Sequence, residues 1–327
     1  MPLTHFIQQA NQYGEQRIPF FFLIDFEQQA SIICPINEAK QQGIFFDIKG
    51  MNNIDWSIDL LTQSFYLEKF PMEFSEYQRG FNLVQQELQK GNSYLLNLTY
   101  PTKIHTNYNL KQIFQESSAS YKLLFENKFV CFSPEPFIHI KNNQIFTFPM
   151  KGTINAEQEN AKQILLDSNK EQCEHYTIVD LMRNDLAIVA KNIEVTRFRY
   201  VEKIYTEKGS ILQTSSEITG ELEKNWQNNI GNILSKLLPA GSISGAPKEK
   251  TVQVIQQAEK QKRGYYTGIF GLFNGDTVQS AVAIRFIEQQ GENMFFRSGG
   301  GITIQSNVED EFAELIQKVY IPLKHNQ

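Results

Sequence analysis

Apolar positions along this chain fall first into short runs and later into longer stripes. Phe20 to Phe26, Ser31 to Ile36 and Gly43 to Ile48 are β-rich and bounded by Pro, Asn, Gly and charged residues, so each predicts a strand. The spacing then changes. Tyr77, Phe81, Val84 and Leu88 form one stripe behind Ser75, a good N-cap, and the pattern stops before Gly91, which predicts a helix. Strands are predicted next at Tyr94 to Thr99, Phe129 to Phe132, Phe137 to Ile140 and Gln144 to Phe148. A helical stretch from about Ala156 to Leu186 follows, broken near Asp167-Ser168-Asn169. The last third predicts helices over Asn228 to Leu238 and Pro247 to Lys262, and strands over Tyr266 to Phe273, Val278 to Ile287 and Asn293 to Ser298. A closing helix is predicted from about Val308 to Leu323. There is no repeat and no Gly/Ser linker, and strands and helices come in runs and not in βαβ alternation. That order predicts an α+β fold with antiparallel sheets, as one domain over 1–327 with a β-rich N-terminal part over 1–74.

Composition narrows the class. Hydrophobic residues make up 41% and charged residues 20%, the balance of a soluble globular protein. A net charge of -5 argues against nucleic acid, whose phosphates call for a basic face. Cys34, Cys131 and Cys173 are widely spaced with no CxxC pair, as in a cytoplasmic protein with reduced thiols. The run Pro19 to Ile24 falls far short of the roughly 20 residues that span a bilayer. Met1 to Phe6 lacks the basic start of a signal peptide. A cytoplasmic location away from membranes is therefore expected.

Several motifs carry chemistry. Glu171 and Glu174 are three apart on one helical face, with Ile178 and Leu181 continuing the stripe, and Glu311 and Glu314 repeat the arrangement on the last helix. One such pair alone is usually a solvated surface pair. Two helices each turning two carboxylates inward suit a hard cation such as magnesium. Gly299-Gly300-Gly301, read as lying between two strands, offers either a tight turn or a close backbone approach with amides for an anion. The loop Pro239 to Lys248, with Ser242 in it, opens a helix whose N-terminus favours an anionic group. Arg285 interrupts the apolar run Ala281 to Phe286, and a charge there calls for a carboxylate from the protein or from a ligand. Lys151 directly follows a strand and is either an exposed loop lysine or an enclosed nucleophile. GxSxG, HExxH and GxGxxG are all absent.

Together these segments resemble the chorismate-utilising enzymes, which include the large subunits of anthranilate synthase and aminodeoxychorismate synthase and the isochorismate and salicylate synthases. The matching stretches are Ser133 to Phe137, Pro149 to Thr153, Glu174 to Asp185, Gly241 to Lys248, Tyr266 to Gly271, Ala283 to Arg285 and Gly299 to Glu314, in the family's order. The resemblance implies two antiparallel β-sheets packed as a sandwich with helices outside, and a catalytic core over 75–327. It implies Mg2+ held by Glu174 and Glu314, with Glu171 and Glu311 acting through water, and a ring carboxylate of chorismate on the metal. Arg285, Tyr266 and the amides of Gly299, Gly300 and Gly301 would hold the second carboxylate. Lys151 stands where C2-aminating relatives carry a small residue, so the resemblance implies amination at C4, toward p-aminobenzoate and folate. In that chemistry Lys151 is the nucleophile, Glu135 the proton donor and Thr153 a hydrogen-bonding neighbour.

Three departures stand out: Gln213 where many relatives have histidine, Ile154-Asn155-Ala156 in place of Pro-Arg, and no match to a tryptophan-binding segment. The alternatives are anthranilate synthase component I, isochorismate synthase and a non-catalytic chorismate-binding relative. None of the three cysteines sits in a glutaminase elbow, so the resemblance implies a separate glutamine amidotransferase subunit that supplies ammonia.

Overall fold

The computed structural model describes residues 1–56, 64–206, 209–245 and 247–324; Ala246, within the predicted loop, lies outside them. Helix α1 (Leu3–Glu15) precedes β1 (Phe20–Ile24) and β2 (Ile32–Pro35), and β3 (Ile44–Ile48), β4 (Met51–Asn52) and β5 (Leu67–Phe70) lead to α2 (Phe74–Gln89). Next come β6 (Leu96–Thr106), α3 (Leu110–Glu116), β7 (Tyr121–Phe125), β8 (Phe129–Ser133), β9 (Pro136–Lys141), β10 (Gln144–Thr147) and β11 (Met150–Asn155). After α4 (Ala161–Asp167) and α5 (Asn169–Ala187), β12 (Lys191–Thr206) and β13 (Gly209–Glu221) pair as a long hairpin. The chain closes with α6 (Ile230–Lys236), α7 (Gly241–Ser244), α8 (Lys248–Glu259), β14 (Ile269–Phe273), β15 (Val278–Val282), β16 (Phe286–Gln290), β17 (Asn293–Ile302) and α9 (Val308–Gln317).

Among the described residues these strands make two antiparallel sheets. One runs β11-β13-β10-β9-β15-β14-β1-β2, with β12 on β13, and the other runs β4-β3-β7-β8-β16-β17-β6-β5. All five residues of β1 are buried because both faces of its sheet are covered. Phe21 and Leu23 pack with Phe46 and Leu123 between the sheets. Phe20 and Phe22 pack outward with Phe6 of α1 and Ile230 of α6. On the far side of the second sheet, Phe45 and Val130 meet Ile113 and Phe114 of α3. The layers are thus helices, sheet, sheet, helix. No helix among the described residues is long and apolar enough to cross a membrane.

The sequence reading differs from the structure in several places. Helix α1 went unread because its buried stripe is only Phe6, Ala10 and Gly14 among polar residues. The hairpin went unread because no residue over 191–204 of β12 is buried, leaving no apolar run. Ser75 is not the cap of α2, which starts at Phe74 behind Glu73. The chain stays extended to Asn155 and turns helical only at Ala161, although the break holds: Ser168 caps α5 by accepting from the Glu171 N–H. The glycine run is not a turn but part of β17, paired with Thr99, Leu98 and Asn97 of β6.

The predicted strand Val278 to Ile287 is two strands in different sheets. Strand β15 pairs with β9 in the first sheet, while β16 pairs with β8 in the second. The partner chain switches sheets at the same level, between β8 and β9. The two crossovers are tied together: Phe132 N–H donates to the Arg285 carbonyl and Val282 N–H to the Glu135 carbonyl, each at 3.1 Å. Arg285 takes a left-handed backbone, φ 51°, to make the corner.

Phe286 anchors this corner, with its ring 4.5 Å from that of Phe129 and 5.8 Å from that of Tyr266. Phe286→Ala is expected to lower unfolding free energy in urea by about 3–5 kcal/mol, and Phe286→Leu by under about 1.5 kcal/mol. Equal losses for the two variants would remove Phe286 from the support of the corner.

Candidate active site

Where the two sheets part at the crossovers, a cavity of about 190 Å³ opens, lined by Glu135, Lys151, Ser242, Tyr266, Arg285, Gly299 and Gly301 among others. Each arrives by a different route. Glu135 sits on the crossover between β8 and β9, and Arg285 on its partner between β15 and β16. Lys151 is the second residue of β11, opposite Thr214 of β13, whose hydroxyl donates to the Lys151 carbonyl. Ser242 lies in the short α7. β16 covers β17 only as far as Arg297, so Gly299 and Gly301 meet the cavity on an edge that β16 has left.

The cavity is rich in positive charge although the chain is acidic. Burial pushes the Glu135 carboxyl above its ordinary range; the Ser242 hydroxyl, donating to Oε1 at 2.5 Å, pulls the other way, as do Lys151, Arg285 and Lys318. Arg285 has no carboxylate in ion-pair contact among the described residues and lies 5.0 Å over the Tyr320 ring. With no protein carboxylate in ion-pair contact, its guanidinium is left for a ligand anion. Burial pushes the Tyr266 hydroxyl up to about 12, so it remains a protonated donor at neutral pH. Lys318 donates to the Gly299 carbonyl at 2.9 Å and pairs with Glu314 at 2.5 Å.

None of the four predicted metal carboxylates lines the cavity itself, and two of them are tied to its lysines. Glu174 lies 3.9 Å from Lys151 Nζ, and Glu314 is held by Lys318. Glu311 accepts from the Ser306 hydroxyl at 2.8 Å. A Cβ on Gly300 would lie 2.7 Å from Glu311 Oε2 and 3.5 Å from Glu314 Oε1, and one on Gly152 would lie 2.8 Å from Glu171 Oε2. Bare glycine backbone therefore gives each acidic helix its room. Among the described residues no three His, Cys, Asp or Glu side chains gather as a metal-holding group. Their all-carboxylate chemistry nonetheless fits a hard cation in kind.

Two predicted residues stand elsewhere. Thr153 is exposed and does not line the cavity. A register shift between Lys151 and Thr153, with Gly152 at φ 77°, breaks the two-residue alternation that would put both on one face. Gly300 backs the carboxylates and not the cavity. Gln213 pairs with Thr153, away from the cavity lining. Lys318 and Arg297 also line the cavity and went unnoticed. Lys318 was findable one helical turn beyond Glu314, and Arg297 by the strand alternation it shares with Gly299 and Gly301.

Residues 58–324 match the family model described as chorismate binding enzyme. A protein of Pasteurella multocida (strain Pm70), described as an uncharacterized PabA-like protein, is 67% identical over 323 residues, covering 99% of this chain and 100% of that one. Anthranilate synthase component 1 of Saccharolobus solfataricus is 34% identical, over 77% of this chain and 60% of its own. Aminodeoxychorismate synthase component 1 of Escherichia coli (strain K12) is 31% identical, over 77% of this chain and 58% of its own. The solved structure of the menaquinone-specific isochorismate synthase from Escherichia coli matches with a TM-score of 0.71 at 16% identity, covering 96% of this chain and 80% of that one. That last likeness speaks to the fold alone.

With its guanidinium free of protein carboxylates, Arg285 is expected to hold a ligand carboxylate. Arg285→Gln should weaken chorismate binding, measured by calorimetry, by about tenfold or more, the size of one lost charge-assisted hydrogen bond. Unchanged affinity in a folded variant would free Arg285 of that role.

Proposed function

The chain belongs to the chorismate-binding enzyme family, and we propose that within it this protein aminates chorismate at C4 to give 4-amino-4-deoxychorismate. The observation that carries the reading is Lys151, whose side chain lines the same cavity as Glu135 and Arg285. A reaction that only adds ammonia at C2 has no use for a lysine there.

The chemistry follows from these residues. Arg285 and Tyr266 orient the substrate through the carboxylate of its enolpyruvyl arm. The Lys151 amine forms a bond to ring C2 as both conjugated ring double bonds shift, C1=C2 to C1=C6 and C5=C6 to C4=C5, and the C4–O bond breaks. The departing oxygen takes a proton from Glu135 and leaves as water, and burial favours the protonated carboxyl this step needs. Ammonia then bonds to C4, both double bonds shift back, the C2–N bond to Lys151 breaks, and Glu135 accepts the surplus proton. One hard displacement becomes two easier ones. Magnesium on Glu174 and Glu314, with Glu171 and Glu311 holding it through water, would neutralise the ring carboxylate. Ammonia would come from a separate glutamine amidotransferase subunit, since Cys34 and Cys131 are buried and Cys173 is exposed on a helix. The second reading, amination at C2, draws on the anthranilate synthase relative at 34% identity.

Lys151→Ala is expected to bind chorismate yet lose most formation of 4-amino-4-deoxychorismate from chorismate and ammonium, read by mass spectrometry. Full activity in this variant would refute the covalent route, and anthranilate as the main wild-type product would favour the second reading.

The wild-type protein should work with magnesium and ammonium, stop when EDTA removes the metal, and make no product from glutamine until an amidotransferase subunit is added. Activity unaffected by EDTA would sink the metal assignment. Robust glutamine-dependent turnover by this chain alone would sink the two-subunit reading.

A further inference from the structure

Two charged residues of the recognised motifs have no part in the chemistry above: Asp185, which ends the stretch from Glu174, and Lys248, which ends the stretch from Gly241. Lys248 Nζ lies 2.9 Å from Asp185 Oδ2 and donates to the Leu237 carbonyl at 3.0 Å. It thereby bridges the two ends of the segment that carries α7. The Asp185 carboxylate also presses on the middle of that segment, since a Cβ on Gly241 would lie only 2.3 Å from Oδ2. Asp185 is 8% exposed, at the C-terminal end of α5. The residue after Gly241 is Ser242, whose hydroxyl donates to Glu135 Oε1 at 2.5 Å.

We propose that Asp185 and Lys248 are positioning residues: their ion pair fixes the Gly241–Ser242 turn so that the Ser242 hydroxyl stays on the proton-donating Glu135. This rests on the reading of Glu135 as the acid. A hydrogen bond to the charged carboxylate favours that form, so losing it raises the carboxyl further. The charged groups that also act on Glu135 are Lys151 on β11, Arg285 on the paired crossover and Lys318 beyond α9. The contacts of Lys151 with Glu174 and of Lys318 with Glu314 and Gly299 do not involve the clamp. Because the proton must be present for donation, a raised carboxyl moves the alkaline limb of turnover to higher pH.

The test is the pH profile of turnover at saturating chorismate and ammonium. Ser242→Ala should move the alkaline limb up by about one pH unit, the scale of one such hydrogen bond. Asp185→Asn should move it the same way by at least half as much, and the double variant no further than Ser242→Ala alone, since both act through one contact. Removing one partner of a buried pair can unfold a protein. Asp185→Asn with Lys248→Met leaves no lone charge and carries the same expectation. If the limb stays put in both Asp185 variants while Ser242→Ala moves it, or if the shifts add in the double variant, the positioning inference is overturned. If Ser242→Ala itself leaves the limb unmoved, the acid assignment of Glu135 falls and takes this inference with it.

Discussion

Everything in this molecule hangs on two adjacent strands changing sheets together. A strand that leaves its sheet abandons a ladder of hydrogen bonds, and the groups it exposes must be met at once. Here the chain between β8 and β9 and the chain between β15 and β16 cross at one level and satisfy each other, Phe132 N–H to the Arg285 carbonyl and Val282 N–H to the Glu135 carbonyl. The corner this makes is fixed by backbone and packed by Phe286, Phe129 and Tyr266. It also places two acid–base groups of opposite kind, Glu135 and Arg285, at the cavity between the sheets.

The electrostatics of the cavity follow from that opening. The overall negative charge of the chain says little about the interior, where Lys151, Arg285 and Lys318 surround Glu135. Enclosure weakens screening, so cations held close by can attract a dianion despite the surface. The same enclosure favours the protonated form of Glu135. Its acidity is set by a balance between burial, which opposes charge, and Ser242 with the three cations, which favour it.

Much of this was legible in the residues. Glu135, Lys151, Ser242, Tyr266 and Arg285 lie in short ordered motifs, and the structure gathers them at one cavity. Arg285 in an apolar run was the clearest signal, because a charge there has to be met. Illegible were features where local pattern and tertiary pairing part company. Val278 to Ile287 is one apolar run whether it stays in one sheet or crosses to another. Thr153 follows Lys151 at a spacing that implies one face, until a single bulged glycine turns it outward. The two acidic helices read as one metal cage, yet how closely Glu171 and Glu174 approach Glu311 and Glu314 depends on the packing of α5 and α9 and not on their spacing in the chain.

The order of strands in the first sheet also bears on how the chain is made. β1 pairs early with β2, but its other edge waits for β14, so that Phe20 ends opposite Phe273. During synthesis the Phe-rich hairpin therefore emerges long before its second neighbour exists. Until then it offers an open, apolar edge of the kind that recruits other chains. Contacts this distant in sequence also slow folding, because the intervening loop must close before they form. Helix α1, packed over the same strand through Phe6, is available from the start and shields one face while the edge waits. Nascent chains stalled before residue 269 should thus be a burden for chaperones out of proportion to their length.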